Sequence, residues 1–200
     1  MKRSIILFVL SFADLFTHAA DSVPIGGRRE LFVDHFLVDQ LNGVRLQLHA
    51  PRDEGVAFAF DKPWEGLFSG YATIVTLEDG RLRAYYRGKA VANRDGSEEE
   101  VTCCAESKDG RTWTKPELGF YEANGTRANN IVLMGANTSP HNFSPFRDRR
   151  PGVPEGERFK AFGGTMEGGG LVAWKSADGY RWEKMADVPV ITKEMVPYKY

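Results

Sequence analysis

Alternation of apolar and polar residues predicts β-strands along most of the chain. In its first half, four such runs follow one another at residues 72–77, 81–87, 101–107 and 111–115. Glu78-Asp79-Gly80 is a hairpin turn signal, Asp109-Gly110 is another, and the polar loop 89–99 connects the middle pair of strands. The pattern therefore predicts an antiparallel meander of four strands.

The same order of strands recurs in the second half of the chain. The runs lie at residues 142–146, 158–162, 171–176 and 180–184. A Pro/Gly-rich loop at 148–156 connects the first and second strands, and a glycine-rich turn ending at Gly170 connects the second and third. Asp178-Gly179 is the turn between the third and fourth strands. No helix is predicted after the first twenty residues.

One motif, SxDGxxW, closes both meanders at the same place. It reads SKDGRTW from Ser107 and SADGYRW from Ser176. In such a turn the aspartate accepts backbone N–H groups, the glycine permits positive φ and the tryptophan packs between sheets. We therefore predict structural roles for Asp109, Gly110, Trp113, Asp178, Gly179 and Trp182.

A repeated four-stranded antiparallel unit with a tryptophan in its outermost strand is typical of a β-propeller blade. The sequence predicts an all-β domain over residues 21–200, with one blade at about 68–121 and another at about 141–185. A β-sandwich is the alternative, because its strands have similar lengths and spacing.

The N-terminus predicts a secretory signal over residues 1–20. Lys2 and Arg3 precede an apolar run, and small residues lead to Ala19 and Ala20. A membrane anchor is the alternative, but a span needs about 20 apolar residues and Asp14 interrupts this run. We expect a secreted or periplasmic protein with no membrane attachment after cleavage.

Charge and cysteine content exclude several classes of protein. With 26 basic and 27 acidic residues, no strong field favours nucleic acid. Cys103 and Cys104 are adjacent, so they make neither a disulfide framework nor a zinc site. The sequence contains no glycine-rich phosphate loop and no spaced metal ligands, so neither a cofactor nor a metal is expected.

Several segments together carry a resemblance to a known family. The two SxDGxxW turns resemble the Asp boxes of sialidase-type propellers, and the strand order resembles the five-bladed propellers of glycoside hydrolase families 32 and 43. The supporting segments are RELFVDHFLVD (29–39), FDKPWEG (60–66), FSGYATI (68–74), HNFSPF (141–146) and RPGVPEGERFKAFGG (150–164). The resemblance covers residues 29 to about 192. Since five blades need roughly 300 residues or more, it implies that this chain is an N-terminal portion with two blades of five.

The resemblance also implies a carbohydrate partner and hydrolysis by two carboxylates. Such pairs lie about 5 to 5.5 Å apart in retaining enzymes and about 6.5 to 9.5 Å apart in inverting ones. In the resembled hydrolases the two acids lie early in the innermost strands of the first two blades. Those places fall on Gly70 or Tyr71 and on Asn142, none of which is acidic.

Nearby acids are therefore the candidate catalytic residues. Glu65 and Asp61 lie in the loop that leads into the first inner strand, and Asp148 lies at the far end of the second. For Asp148 the alternative is an ion pair with Arg147, Arg149 or Arg150.

Five residues are predicted to bind substrate: Trp64, Tyr71, Arg87, His141 and Asn142. Trp64 offers a flat face for a sugar ring, His141 and Asn142 offer hydrogen bonds to hydroxyls, and the alternatives are plain packing or solvated strand ends. The predicted function is a secreted glycoside hydrolase-like protein that acts on an oligo- or polysaccharide. A non-catalytic carbohydrate-binding propeller and an inactive truncated product are the alternatives.

Overall fold

The computed structural model describes residues 22–195 and divides the chain into two units, residues 1–52 and 53–200. The signal predicted for residues 1–20 lies outside the described residues. In the first unit, residues 22–52 form turns and bends without a strand. Across residues 22–195, no helix has the length and apolar character that a membrane span requires.

The second unit contains two antiparallel sheets. The first sheet consists of β1 (Gly70–Thr76), β2 (Leu82–Gly88), β3 (Val101–Ser107), β4 (Trp113–Thr114) and β5 (Ile131–Met134). Its order is β1-β2-β3-β4, and β5 pairs with β3 as well. Strand β5 was not predicted from the sequence, because its four apolar residues are isolated between polar segments.

The second sheet repeats the four-stranded meander. It consists of β6 (Ser144–Arg147), β7 (Phe159–Gly163), β8 (Val172–Ser176) and β9 (Glu183–Lys184), in the order β6-β7-β8-β9. A single 3₁₀ turn, Glu155–Glu157, is the helical element of residues 22–195. The prediction of an all-β fold built from four-stranded antiparallel units is confirmed.

The two sheets pack against each other through apolar side chains. Tyr85 and Cys104 of the first sheet join Phe159 of the second in one buried cluster, and Leu133 joins Phe143, Ala161 and Trp174 in another. Burying each large apolar side chain contributes about 1.5–3 kcal/mol. The inner strands β1 and β6 also contact each other, as neighbouring blades require.

The opposite face of the first sheet has its own core. Tyr86, Cys103 and Ile131 lie in it, covered by partly buried aromatic side chains that include Phe58 and Trp64. Because successive strand residues face opposite ways, Cys103 and Cys104 belong to different cores. Both thiols are free and buried, and burial raises the pKa of Cys104 to about 12.

The two SxDGxxW turns have matching hydrogen bonds. In each, the serine Oγ accepts the glycine N–H at 2.8 Å, from Gly110 to Ser107 and from Gly179 to Ser176. The Asp109 carboxylate accepts the N–H groups of residues 111 and 112, and the aspartate at 178 accepts those of residues 180 and 181. These bonds occupy the aspartates within the turns themselves.

Candidate functional site

Close to the start of each inner strand lies a residue in the left-handed backbone region. Tyr71 has φ = 55° and Asn142 has φ = 57°. A non-glycine residue there costs roughly 1–2 kcal/mol, less for asparagine, and such positions are often functional. The resemblance implies that the acids of the hydrolases fall at Gly70 or Tyr71 and at Asn142.

A bulge in β1 accounts for the position of Tyr71. The pairing of β1 with β2 shifts register between Gly70 and Thr73, so that the segment holding Tyr71 is one residue longer than its partner. Bulges re-aim side chains at the edges of sheets and next to active sites. The Tyr71 ring is 59% exposed as a result of this placement.

Three predicted binding residues meet at this point. The Arg87 guanidinium carbon lies 4.4 Å from the centroid of the Tyr71 ring, and the Tyr71 and His141 rings meet edge to face at 5.9 Å. Asn142 follows His141 directly and lies just before β6. We refer to Tyr71, Arg87, His141 and Asn142 as the inner-strand site.

The loop between β2 and β3 adds charged groups behind this site. Lys89 is buried, and its ammonium group donates to Glu100 at 2.7 Å and to Asp95 at 3.3 Å. It also donates to the carbonyls of residues 93 and 94 at 3.1 and 2.9 Å. The loop is therefore fixed by a buried cation and is not a freely solvated connection.

Arg87 and His141 are tied to the same carboxylates. The Arg87 guanidinium lies 3.6 Å from Asp95 and 3.9 Å from Glu100, and it donates to the Phe68 carbonyl at 2.9 Å. His141 Nδ1 lies 3.0 Å from the second oxygen of Glu100. Two cations and two carboxylates thus surround the imidazole.

Asp95, Glu100 and His141 place ligand atoms within 4.8 Å of one another, a spacing that could hold a metal ion. Lys89 already binds both carboxylates, so the protein itself supplies the positive charge that a metal would bring. The hydrogen bond from Lys89 lowers the pKa of Asp95, which is 66% exposed in its side chain. Asp95 is therefore an ionised, solvent-facing carboxylate.

Glu65, Asp61 and Trp64 form a separate group, associated with the other face of the first sheet. Glu65 has no exposed surface, and its carboxylate accepts bonds from the Tyr86 hydroxyl at 2.6 Å and from Lys115 at 2.7 Å. Lys115 also binds Asp61 at 2.8 Å, which lowers the pKa of that acid. Asp61 and Trp64 line an open cleft of about 510 Å³.

Asp148 lies beyond the opposite end of β6 from Asn142. Its carboxylate accepts bonds from the guanidinium and the backbone N–H of Arg150, the shortest at 2.6 Å, and one from Lys160 at 2.8 Å. Hydrogen bonds from Arg150 and then from Lys160 hold the pKa of Asp148 far below its ordinary value. The predicted acids are thus divided between two places, both separate from the inner-strand site, and their catalytic roles stay predictions.

Sequence reasoning missed Lys89, Asp95 and Glu100. They lie in the segment KAVANRDGSEEE, which reads as a polar surface loop. One signal was the lysine directly after Gly88, where a charged residue follows a buried strand. The burial of Lys89 and Glu100 depends on contacts with residues far along the chain, such as His141.

Sequence comparisons with known proteins assign no family to this chain. No protein-family model matches the chain, and no curated protein matches it. Among solved structures, the Bombyx mori GH32 beta-fructofuranosidase BmSUC1 is similar at 22% identity and a TM-score of 0.38, covering 57% of this chain. The chain spans 22% of that protein's length.

Proposed function

We propose that this protein is of the glycosidase-like kind and binds carbohydrate at the inner-strand site. One observation carries the proposal: Tyr71 and Asn142 occupy matching places in the two sheets, in the same left-handed conformation. Both positions depart from ordinary backbone geometry, and the strands next to them, β1 and β6, contact each other. Function is a common reason for retaining such conformations.

The charges at the site favour a neutral sugar. Arg87 and Lys89 are balanced by Asp95 and Glu100, so an anionic ligand would meet no excess positive charge. The exposed Tyr71 ring supplies an apolar surface for stacking, and Asn142 supplies both a donor and an acceptor for hydroxyl groups. A site of this composition suits a ring with many hydroxyls and no charge.

Hydrolysis of a glycosidic bond is the activity we propose for the whole protein. Glu65, Asp61 and Asp148 remain the candidate acids, and each already has a basic partner. For Glu65 to transfer a proton to a sugar, it would have to leave Tyr86 and Lys115. Substitution of Glu65 and Asp148 therefore tests whether these acids take part in hydrolysis.

Carbohydrate binding without catalysis is the second candidate function. The ion pairs of the candidate acids favour it, because carboxylates held by lysine side chains are poorly placed to exchange protons with a ligand. An inactive truncated product is the third possibility, and it predicts neither binding nor turnover.

A two-part screen separates these functions. The protein is applied to an array of neutral oligosaccharides and to a panel of aryl glycosides, beside Tyr71→Ala and Asn142→Ala variants. Arg181→Ala, at an exposed residue of the second SxDGxxW turn, is the matched control. We expect sugar binding that both inner-strand variants weaken at least tenfold and the control leaves unchanged; equal binding by all four proteins would overturn the site.

Turnover is tested with Glu65→Gln and Asp148→Asn. Loss of aryl glycoside hydrolysis in either variant, with sugar binding kept, would assign that acid a catalytic role. Hydrolysis that persists in both would remove them as catalysts. Binding without any hydrolysis would establish the second candidate function.

A further inference from the structure

The buried pair Glu100 and His141 has a hydrogen-bond arrangement that fixes one tautomer of the imidazole. His141 Nδ1 lies 3.0 Å from a Glu100 oxygen and 3.4 Å from an Arg87 nitrogen. A carboxylate only accepts hydrogen bonds and a guanidinium only donates them, so Nδ1 can satisfy one partner at a time. Both contacts are charge-assisted, and the contact with Glu100 is the shorter, which puts the proton on Nδ1.

Glu100 is held in place from its other side. Its first oxygen accepts the Lys89 ammonium at 2.7 Å, and the residue has no exposed surface. The carboxylate therefore cannot rotate away from the imidazole without leaving a buried lysine unpaired. This rigidity makes Glu100 suited to orienting the ring.

The second imidazole nitrogen, Nε2, does not take part in these contacts. Among residues 22–195 it has no hydrogen-bond partner, and with the proton on Nδ1 it carries a lone pair. The His141 ring touches the edge of the exposed Tyr71 ring and precedes Asn142. The unpartnered nitrogen is thus carried by a residue that contacts Tyr71 in the inner-strand site, where the sequence has no acid at the expected positions.

We propose that His141 is the proton acceptor of the inner-strand site and that Glu100 is its positioning residue. This proposal rests on the carbohydrate function proposed above. A water that attacks the anomeric carbon loses one O–H proton, which forms a new N–H bond at Nε2, while the water oxygen bonds to the carbon. The glycosidic C–O bond breaks, and its electron pair leaves on the departing oxygen, as aryloxide in an aryl glycoside. The resulting imidazolium is stabilised by the Glu100 carboxylate through Nδ1–H.

The charges that face the imidazole are consistent with this role. Glu100 and Asp95 stabilise the protonated ring, and Arg87 and Lys89 oppose it. Tyr71 adds a neutral hydroxyl beside them. The four charges balance one another, so the imidazolium adds one positive charge, which its direct contact with Glu100 at 3.0 Å stabilises.

The first test needs no substrate. Nitrogen-15 NMR of the imidazoles distinguishes the two tautomers, and a His141→Gln variant assigns the resonance. We expect His141 as the Nδ1–H tautomer, while the exposed His49 serves as the internal control for an unrestrained imidazole. An Nε2–H tautomer at His141 would overturn the proposal.

The second test is kinetic and uses whichever aryl glycoside the screen identifies. His141→Gln should lower kcat by about 100-fold or more with KM nearly unchanged, and should remove the fall in rate on the acidic side of the pH profile. Glu100→Gln should shift the His141 tautomer and lower kcat less. If that variant fails to fold, His141→Gln still decides the matter.

The remaining outcomes separate the two proposals. If His141→Gln keeps both kcat and the acidic limb, the role of His141 is wrong and the carbohydrate function stands. If the protein binds sugar but never turns it over, proton transfer is overturned and binding stands. If it binds no sugar at all, the proposed function fails, and the role of His141 fails with it whatever the tautomer.

Discussion

Two regions of the molecule each occur twice: the SxDGxxW turns, called the outer turns below, and the segments that lead into the inner strands β1 and β6. They differ in what the two copies share. At the outer turns both the residues and the bonds recur: the serine at 107 or 176 binds its glycine at 2.8 Å in each copy. At the inner starts the backbone recurs but the residue does not, since φ is 55° at Tyr71 and 57° at Asn142. The two copies therefore share their hydrogen bonds at the outer turns and their backbone conformation at the inner strands.

This difference indicates what each region does. A turn that keeps its residues in both copies is needed for the same internal bonds, so it is a structural element. A start that keeps its strained backbone while the side chain changes presents different groups to one site. We therefore propose that the two sheets differ in function at the inner-strand site.

Removing Glu100 should have the largest effect, because the inner-strand site depends on buried charge. Glu100→Ala leaves Lys89 buried without its closest carboxylate, and we expect a loss of about 3–5 kcal/mol in the free energy of unfolding. Urea denaturation measures it. Glu99→Ala, at the exposed neighbouring residue, is the control and should change stability little; equal effects would show that the charge cluster is not structural.

The outer turns should respond equally to one substitution. Ser107→Ala and Ser176→Ala each remove the acceptor of a glycine N–H in a nearly buried turn, and each should cost about 1–3 kcal/mol. Parallel urea titrations compare the pair. A large loss in one variant and none in the other would break the equivalence of the turns.

Two substitutions at Asn142 separate backbone strain from side-chain function. Asn142→Ala and Asn142→Gly both remove the amide, so both should weaken sugar binding equally. Alanine tolerates the left-handed region poorly, so the alanine variant should be about 1 kcal/mol less stable than the glycine variant. Thermal denaturation measures the difference, and equal stabilities would mean that Asn142 is not strained.

The smallest expected effect is the acid sensitivity of Asp148, at the far end of β6. Because the folded-state pKa of Asp148 lies below its ordinary value of 3.8, the carboxylate stabilises the fold above about pH 4 and less as pH falls further. Asp148→Asn lacks this contribution at every pH. The gap between the urea midpoints of the two proteins should therefore shrink below pH 4; a constant gap would contradict the ion pairing.

The sequence was sufficient for the parts of the fold that local patterns control. Alternating residues and the two SxDGxxW turns gave the order of both meanders, since hairpin turns join neighbours in sequence. Strand β5 was missed because it pairs with β3 across a long segment that no turn signal marks. The number of five blades, implied by the resemblance, stays a prediction.

The candidate site was only partly predictable. Tyr71 and Arg87 lie on neighbouring strands of one predicted meander, but their contacts with His141, from the other meander, needed the structure. Lys89 and Glu100 could not be placed, because their burial depends on how the loop 89–100 folds against the second sheet. The structure was also needed to separate Glu65 from this site. Glu65 binds Tyr86, whereas the neighbouring Arg87 contacts His141, because adjacent strand residues face opposite sides of the sheet.

The most direct measurement of the central claim is a map of amide chemical shifts during titration with the best neutral oligosaccharide from the array. We predict that the shifts concentrate at Tyr71, Arg87, His141 and Asn142, and that Tyr71→Ala abolishes them. Shifts confined to the cleft beside Asp61 and Trp64, or to the outer turns, would contradict the assignment of the inner-strand site as the place where this protein meets its ligand.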